Sequence, residues 1–140
     1  MLTMNSYGDI RTGMTIEEAA RRLHVAAPTP GAVGCDYAQI GGASFMLDGL
    51  KIVRIEVASQ RVVTPSGIHV GDSIAKLKKI YGARLSDEPQ FYSNDPSDRT
   101  LIVVSRDGKD AMRFEANAKT GVSEIYAGFE SAIHCVEGCA

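Results

Sequence analysis

The chain is short of most features that announce a function. No stretch approaches the ~20 consecutive apolar residues of a membrane-spanning helix, although 44% of its 140 residues are hydrophobic. No segment is of low complexity. Positive charge is not in excess: 15 Lys and Arg against 17 Asp and Glu leave a formal net charge of −2. A surface for nucleic acid or anionic lipid needs clustered basic residues. The one local basic group, Lys76, Lys78 and Lys79, reads as a solvated helix face. Met1 to Ser6 lacks the basic n-region and apolar h-region of a secretory signal. Two readings follow, a cytoplasmic chain or a mature form whose signal has been removed.

Cysteine is scarce too. Cys35, Cys135 and Cys139 include no C-x-x-C pair. A Cys135–Cys139 bridge needs a tight turn at Glu137-Gly138, because extended chain would hold the two Cα atoms ~13 Å apart and bonding needs ~7 Å or less. A Cys35–Cys139 bridge would tie the first half to the C-terminus, and three free thiols are the remaining alternative. His24, His69 and His134 add no paired metal-ligand spacing, so no metal is expected. Cys135 beside His134 is not a nucleophile–base pair, and Cys35 with His69 is the one hydrolase arrangement left open. Gly31, Gly34 and Gly41-Gly42 do not form a phosphate-cradling loop ahead of a helix. The expectation is therefore no catalytic residue and no cofactor.

What the chain does have is an apparent repeat. Gly13-Met14-Thr15-Ile16 and Gly71-Asp72-Ser73-Ile74 each open a short apolar-periodic segment, and each follows an Ile by three residues (Ile10, Ile68). Thr15 with Glu18 reads as a capping box. Ile16, Ala19, Ala20 and Leu23 then share one helix face, ending near His24. Ser73 caps a second helix, with Ile74, Leu77 and Tyr81 inward and Gly82 as its stop. Strands are expected at 36–40, 43–47 and 50–57, with a short fourth at 62–64. The second half matches them with strands at 100–105, 111–116, 122–128 and 133–136, after a polar loop at 86–98. Residues 1–9 read as a loose lead-in. Phe45 and Leu47 meet the face of Val53, Ile55 and Val57 only if the Asp48-Gly49 turn has three residues with Gly49 left-handed.

The expected fold class is α+β. It is a tandem repeat of helix plus antiparallel meander, about 8–67 and 68–139, within a single domain of 1–140. One continuous antiparallel sheet would carry both helices on one face. The expected core contains Ile16, Leu23, Phe45, Val53, Ile55, Ile74, Leu77, Met112, Phe114 and Ile125. A hairpin closed symmetrically at Lys119-Thr120-Gly121 sets Glu115 opposite Glu124 and Arg113 opposite Tyr126. Opposed like charges are mildly destabilising. That face reads as a general acid/base pair, a partner surface awaiting a cation, or a solvated face balanced by Arg54 and Arg113.

The paired Gly-Met-Thr and Gly-Asp-Ser helix starts, each with a meander, resemble the beta-lactamase-inhibitor-like and BamE-like (SmpA/OmlA) modules of bacterial envelope proteins. Cys35-Asp36-Tyr37, Thr64-x-x-Gly67-Ile68-x-Val70-Gly71 and Ile133 to Cys139 look like a group of small secreted bacterial proteins with this tandem module. The resemblance implies a Cys35–Cys139 disulfide and a periplasmic or secreted location, with the cytoplasm as the alternative. Cys135 departs from the pattern, which has an aromatic residue there. The resemblance also implies a non-enzymatic inhibitor or assembly factor that binds another protein through its open sheet face. On this chain that face carries Tyr37, Met46, Arg54, Glu56, Arg113, Glu115, Glu124 and Tyr126. The competing expectation is a small-molecule carrier or enzyme with a pocket between the sheet and the 86–98 loop. A structural subunit dimerising through an edge strand is a third.

Overall fold

Alternating apolar and polar residues dominate the chain from Cys35 onward, and strands result. The computed structural model describes residues 1–26 and 35–135. A two-stranded ribbon, β1 (Ser6–Tyr7) and β2 (Ile10–Arg11), precedes α1 (Ile16–Arg22). Strands β3 (Cys35–Ile40), β4 (Ala43–Asp48) and β5 (Lys51–Val57) follow. Next come α2 (Ile74–Tyr81) and a single 3-10 turn at Gly82–Arg84. The chain continues through β6 (Leu85–Pro89), β7 (Asp98–Val104), β8 (Asp110–Asn117) and β9 (Gly121–Phe129) to α3 (Glu130–Ile133). The seven strands from β3 on form one sheet in the order β3-β4-β5-β9-β8-β7-β6, antiparallel throughout.

One sheet face builds the main core. Phe45, Ile55, Leu101, Phe114 and Ile125 are fully buried there, against Ile16, Ala19 and Ala20 of α1 and Leu77 of α2. Full burial of each such large side chain is worth roughly 1.5–3 kcal/mol. The caps behave as read: Thr15 Oγ1 accepts from Glu18 N at 3.2 Å, and Ser73 Oγ from Lys76 N at 3.1 Å.

The tandem helix-meander fold is overturned. The molecule is mostly antiparallel sheet with three short helices, of 7, 8 and 4 residues, rather than two helices on one face of a repeat. The halves differ in kind. The first opens with the β1–β2 ribbon, which ties Leu2 and Ile10 into the core, so the lead-in is not loose. The second inserts β6 as an edge strand where a polar loop was expected. β6 is exposed along four of its five residues, so it carries no apolar alternation to betray it. The expected strand at 133–136 is helical at Ile133, and α3 lies on the opposite sheet face, where Ile133 packs with Ile102 and Ala111. The expected strand at 62–64 reduces to an isolated bridge between Val63 and His69. The Cys35–Cys139 disulfide lies outside the described residues, which end at Cys135.

Two core assignments change for local reasons. The β4–β5 turn has two residues, Gly49 and Leu50, because Asp48 pairs with Lys51. Gly49 is left-handed at φ 64, as expected. The extra residue sits in β5, where the register shifts between Met46 and Leu47. The bulge turns Ile52 into the core at 0% exposure and leaves Val53 half-buried. Leu23 is 37% exposed because α1 stops one residue before it and His24 takes φ 55. Ile74 is half-buried against the core.

Candidate functional site

The second face of the sheet holds every residue expected to form a binding surface. Strand pleat fixes this, since successive side chains point to opposite faces. With Ile55, Phe114 and Ile125 in the core, Arg54, Glu56, Arg113, Glu115, Glu124 and Tyr126 must lie behind them. Cross-strand pairing extends the face outward, through Met46 opposite Arg54, Tyr37 opposite Met46 and Thr100 opposite Glu115. Glu115 does stand opposite Glu124 and Arg113 opposite Tyr126. The hairpin achieves this asymmetrically: Asn117 pairs with Gly121, and a register shift beyond Glu115 restores the pairing.

The face is not the open, solvated one expected. Met46 is 0% exposed, Arg54 3%, and Arg113 and Glu115 8% each. The cover is α3. Arg54 Nη1 donates to the carbonyls of Ala132 (2.9 Å) and Cys135 (2.7 Å). Its Nε donates to Glu56 Oε2 at 2.9 Å, and its Nη2 lies 2.7 Å from that oxygen and donates to Tyr37 Oη at 2.9 Å. All five guanidinium N–H groups therefore have an acceptor. Arg113 repeats the design. Its Nε donates to Glu115, and its Nη1 to the carbonyls of Ile133 (3.0 Å) and Cys135 (3.2 Å). Carbonyls at a helix C-terminus lack the usual intrahelical donors; Ala132 O takes Cys135 N at 3.3 Å, and the two arginines supply the further donors at this end of α3. Glu115 is completed by the Thr100 hydroxyl at 2.9 and 3.0 Å. Both guanidiniums lie over the Tyr126 ring, 4.9 and 5.1 Å from its centroid.

Glu56, Glu115 and Glu124 stand beside the two buried guanidiniums, and of these three Glu124 is left without a cation. Glu56 pairs with Arg54 and Glu115 with Arg113. Glu124 accepts only the Tyr126 hydroxyl, and among the described residues no cation lies within ion-pair distance of it. Burial, then the hydrogen bond and charge of Glu124, push the Tyr126 hydroxyl far above the usual tyrosine value. Burial and Glu56 raise Tyr37 as well, against the opposing charge of Arg54.

Beside this face rises the segment joining β6 to β7. Phe91 and Tyr92, within the segment expected as a polar loop, are 73% and 66% exposed. Their rings meet edge to face at 4.8 Å. The segment is held by its own hydrogen bonds. Asp98 accepts from Ser93 Oγ (2.6 Å) and Asn117 Nδ2 (2.8 Å), and Asp95 accepts from Ser97 N (2.8 Å). Those bonds to Asn117 and Ser93 hold the Asp98 carboxyl below the usual range. Two clefts flank Phe91. One, of about 280 Å³, is lined by Tyr92, Arg113, Glu115, Glu124 and Tyr126, and the other, of about 320 Å³, by Glu88, Ile102, Arg113 and His134.

Arg113 Nη2 has no hydrogen-bond partner among the described residues, and no buried polar side-chain atom there is unsatisfied, so this nitrogen is open to solvent. Cys135 carries a free, half-buried thiol. No group of three His, Cys, Asp or Glu is placed to hold a metal among the described residues, and no helix there is long and apolar enough to cross a membrane. Set against known protein families, curated proteins and solved structures, the chain matches none, so its site must be argued from its own residues.

Proposed function

We propose that this is a non-enzymatic binding module whose partner is another protein, docked on the second sheet face where Phe91 and Tyr92 overhang Glu124 and Arg113. One observation carries the reading. Two large aromatic side chains stand 73% and 66% exposed on a hydrogen-bonded segment beside a bonded face that carries the unneutralised Glu124. Aromatic and Arg side chains are the usual anchors of protein interfaces. A fixed segment also costs little ordering entropy on binding. Against bond-making chemistry stands the state of the polar groups. Glu56 and Glu115 are each held by a guanidinium, and Tyr126 grips its proton more tightly than free tyrosine. An envelope location belongs to the same proposal and rests on the resemblance of the helix-start and cysteine motifs.

Display selection of peptides on the immobilised protein tests the docking. Selected peptides should lose at least tenfold in affinity on the Phe91→Ser/Tyr92→Ser variant. Equal binding to both proteins refutes the assigned face. A second reading, a small-molecule site, draws on the clefts between the sheet and the 86–98 segment, at about 280 and 320 Å³. These stand at the lower limit of drug-sized sites, about 300 Å³.

A further inference from the structure

We infer that the cleft beneath Phe91 and Tyr92 receives a basic side chain, Arg or Lys, from the partner, whose main chain meanwhile supplies a carbonyl to Arg113 Nη2. The inference rests on the docking reading and names the chemistry of its anchor. Three independent features converge. First, the charge of the cleft is unbalanced: Arg113 is neutralised by Glu115, whereas Glu124 faces no cation among the described residues. Second, Phe91 and Tyr92 line the same cleft and are largely exposed. The Tyr126 ring already lies against two guanidiniums, so these two are the ones available to a third cation. Third, Arg113 lines the cleft and is more than nine-tenths buried, yet its Nη2 has no acceptor among the described residues.

The spacing suits one amino-acid residue. Arg113 and Tyr126 form one cross-strand pair and Glu115 and Glu124 the next on that face. Rows two residues apart along a strand are ~7 Å apart. A basic residue spans about that distance from its backbone carbonyl to its charged head. The Arg113 charge does not repel the incomer decisively, because the carboxylate of Glu115 is bonded to its Nε. An acidic side chain would meet Glu124 and Glu115 with no open cation but one guanidinium edge.

Titration of the intact protein with three blocked amino acids tests this. The N-acetyl N-methylamides of arginine, glutamine and glutamate serve as cationic, neutral and anionic probes. Backbone amide resonances of residues 91–92 and 123–126 report occupancy. The arginine probe should bind at least tenfold tighter than the glutamine probe, with shifts confined to those residues. Glu124→Gln should remove that preference, and Tyr92→Ala, at an exposed position, should weaken binding severalfold without disturbing the remaining spectrum. Equal affinity for all three, preference for glutamate, or no shift with any probe overturns the inference. Display-selected peptides that need Phe91 and Tyr92 but carry no Arg or Lys would overturn it too, while leaving the docking reading intact. Loss of both results would bring down both.

Discussion

Replacing Arg54 by lysine keeps the charge and removes the fork. Arg54 serves four acceptor groups, namely Glu56, the Tyr37 hydroxyl and the carbonyls of Ala132 and Cys135. An ammonium has three donors on one atom at the end of a different stem. The Ala132 carbonyl keeps Cys135 N and the Cys135 carbonyl keeps Arg113 Nη1, so the loss amounts to about one buried, charge-assisted hydrogen bond. A hydrogen bond to a charged group is worth about 1.5–3 kcal/mol, which puts Arg54→Lys at about 1.5–3 kcal/mol. That is a large share of the ~5–15 kcal/mol that holds a domain together. With a urea slope of ~1–3 kcal/mol/M, the unfolding midpoint should fall by about 0.5–3 M. The loss has a place as well as a size. α3 loses two of the donors that cap its carbonyls, so the half-buried Cys135 thiol should react faster with a thiol reagent in the native variant. A loss under ~0.5 kcal/mol, the level of an ordinary surface substitution, with an unchanged thiol rate would refute the claim that this arginine docks α3.

Four further outcomes follow from the structure. Gly128→Ala should cost about 1–3 kcal/mol or more, because an added Cβ would lie 2.3 Å from the Val53 carbonyl oxygen where β5 meets β9; thermal unfolding checks it, and a neutral result would contradict the register there. Acid should destabilise the protein as pH falls below about 4. His69 N to Asp72, Asn117 and Ser93 to Asp98, and Lys109 N to Asp107 all hold carboxyls below the usual value. Depressed carboxyls stabilise above their unfolded pKa, and that stability is lost as pH falls through the folded values. Asp110, raised by burial and Asp107, opposes them, so a midpoint that rises on acidification would show the balance is reversed. In alkaline ultraviolet titration Tyr126 should stay protonated past about pH 10 while exposed tyrosines ionise, and its native contribution to stability should fade as pH rises. A thiol count on the denatured, unreduced chain should find one free thiol if a single bridge such as the implied Cys35–Cys139 forms, and three if none does.

The helix starts and the β7–β9 meander were legible because they rest on local chemistry. Thr15 and Ser73 are N-cap residues whatever surrounds them, and Phe114 and Ile125 alternate cleanly with Arg113 and Glu124. What the sequence hid depends on partners far along the chain. Ile133 reads as strand because it opens a short segment that ends on another β-branched residue, Val136. It is helical because Arg54 and Arg113, 79 and 20 positions away, supply donors to the end of α3. β6 has no pattern to read, since an edge strand need bury neither face. The buried arginines looked solvated for the same reason: nothing local announces that a helix will cover them. Phe91 and Tyr92 did carry a signal, two adjacent aromatics in a run of Ser, Asp and Pro, and only their setting beside Glu124 gives it meaning.

The most direct test is amide hydrogen exchange of the protein with and without a display-selected peptide bound at saturation. Slower exchange concentrated at residues 90–93 and 121–126, with the α1 and α2 side unchanged, is the outcome expected if the second face is the docking surface. Protection on the helical side, or along β6 or β3 alone, would contradict it.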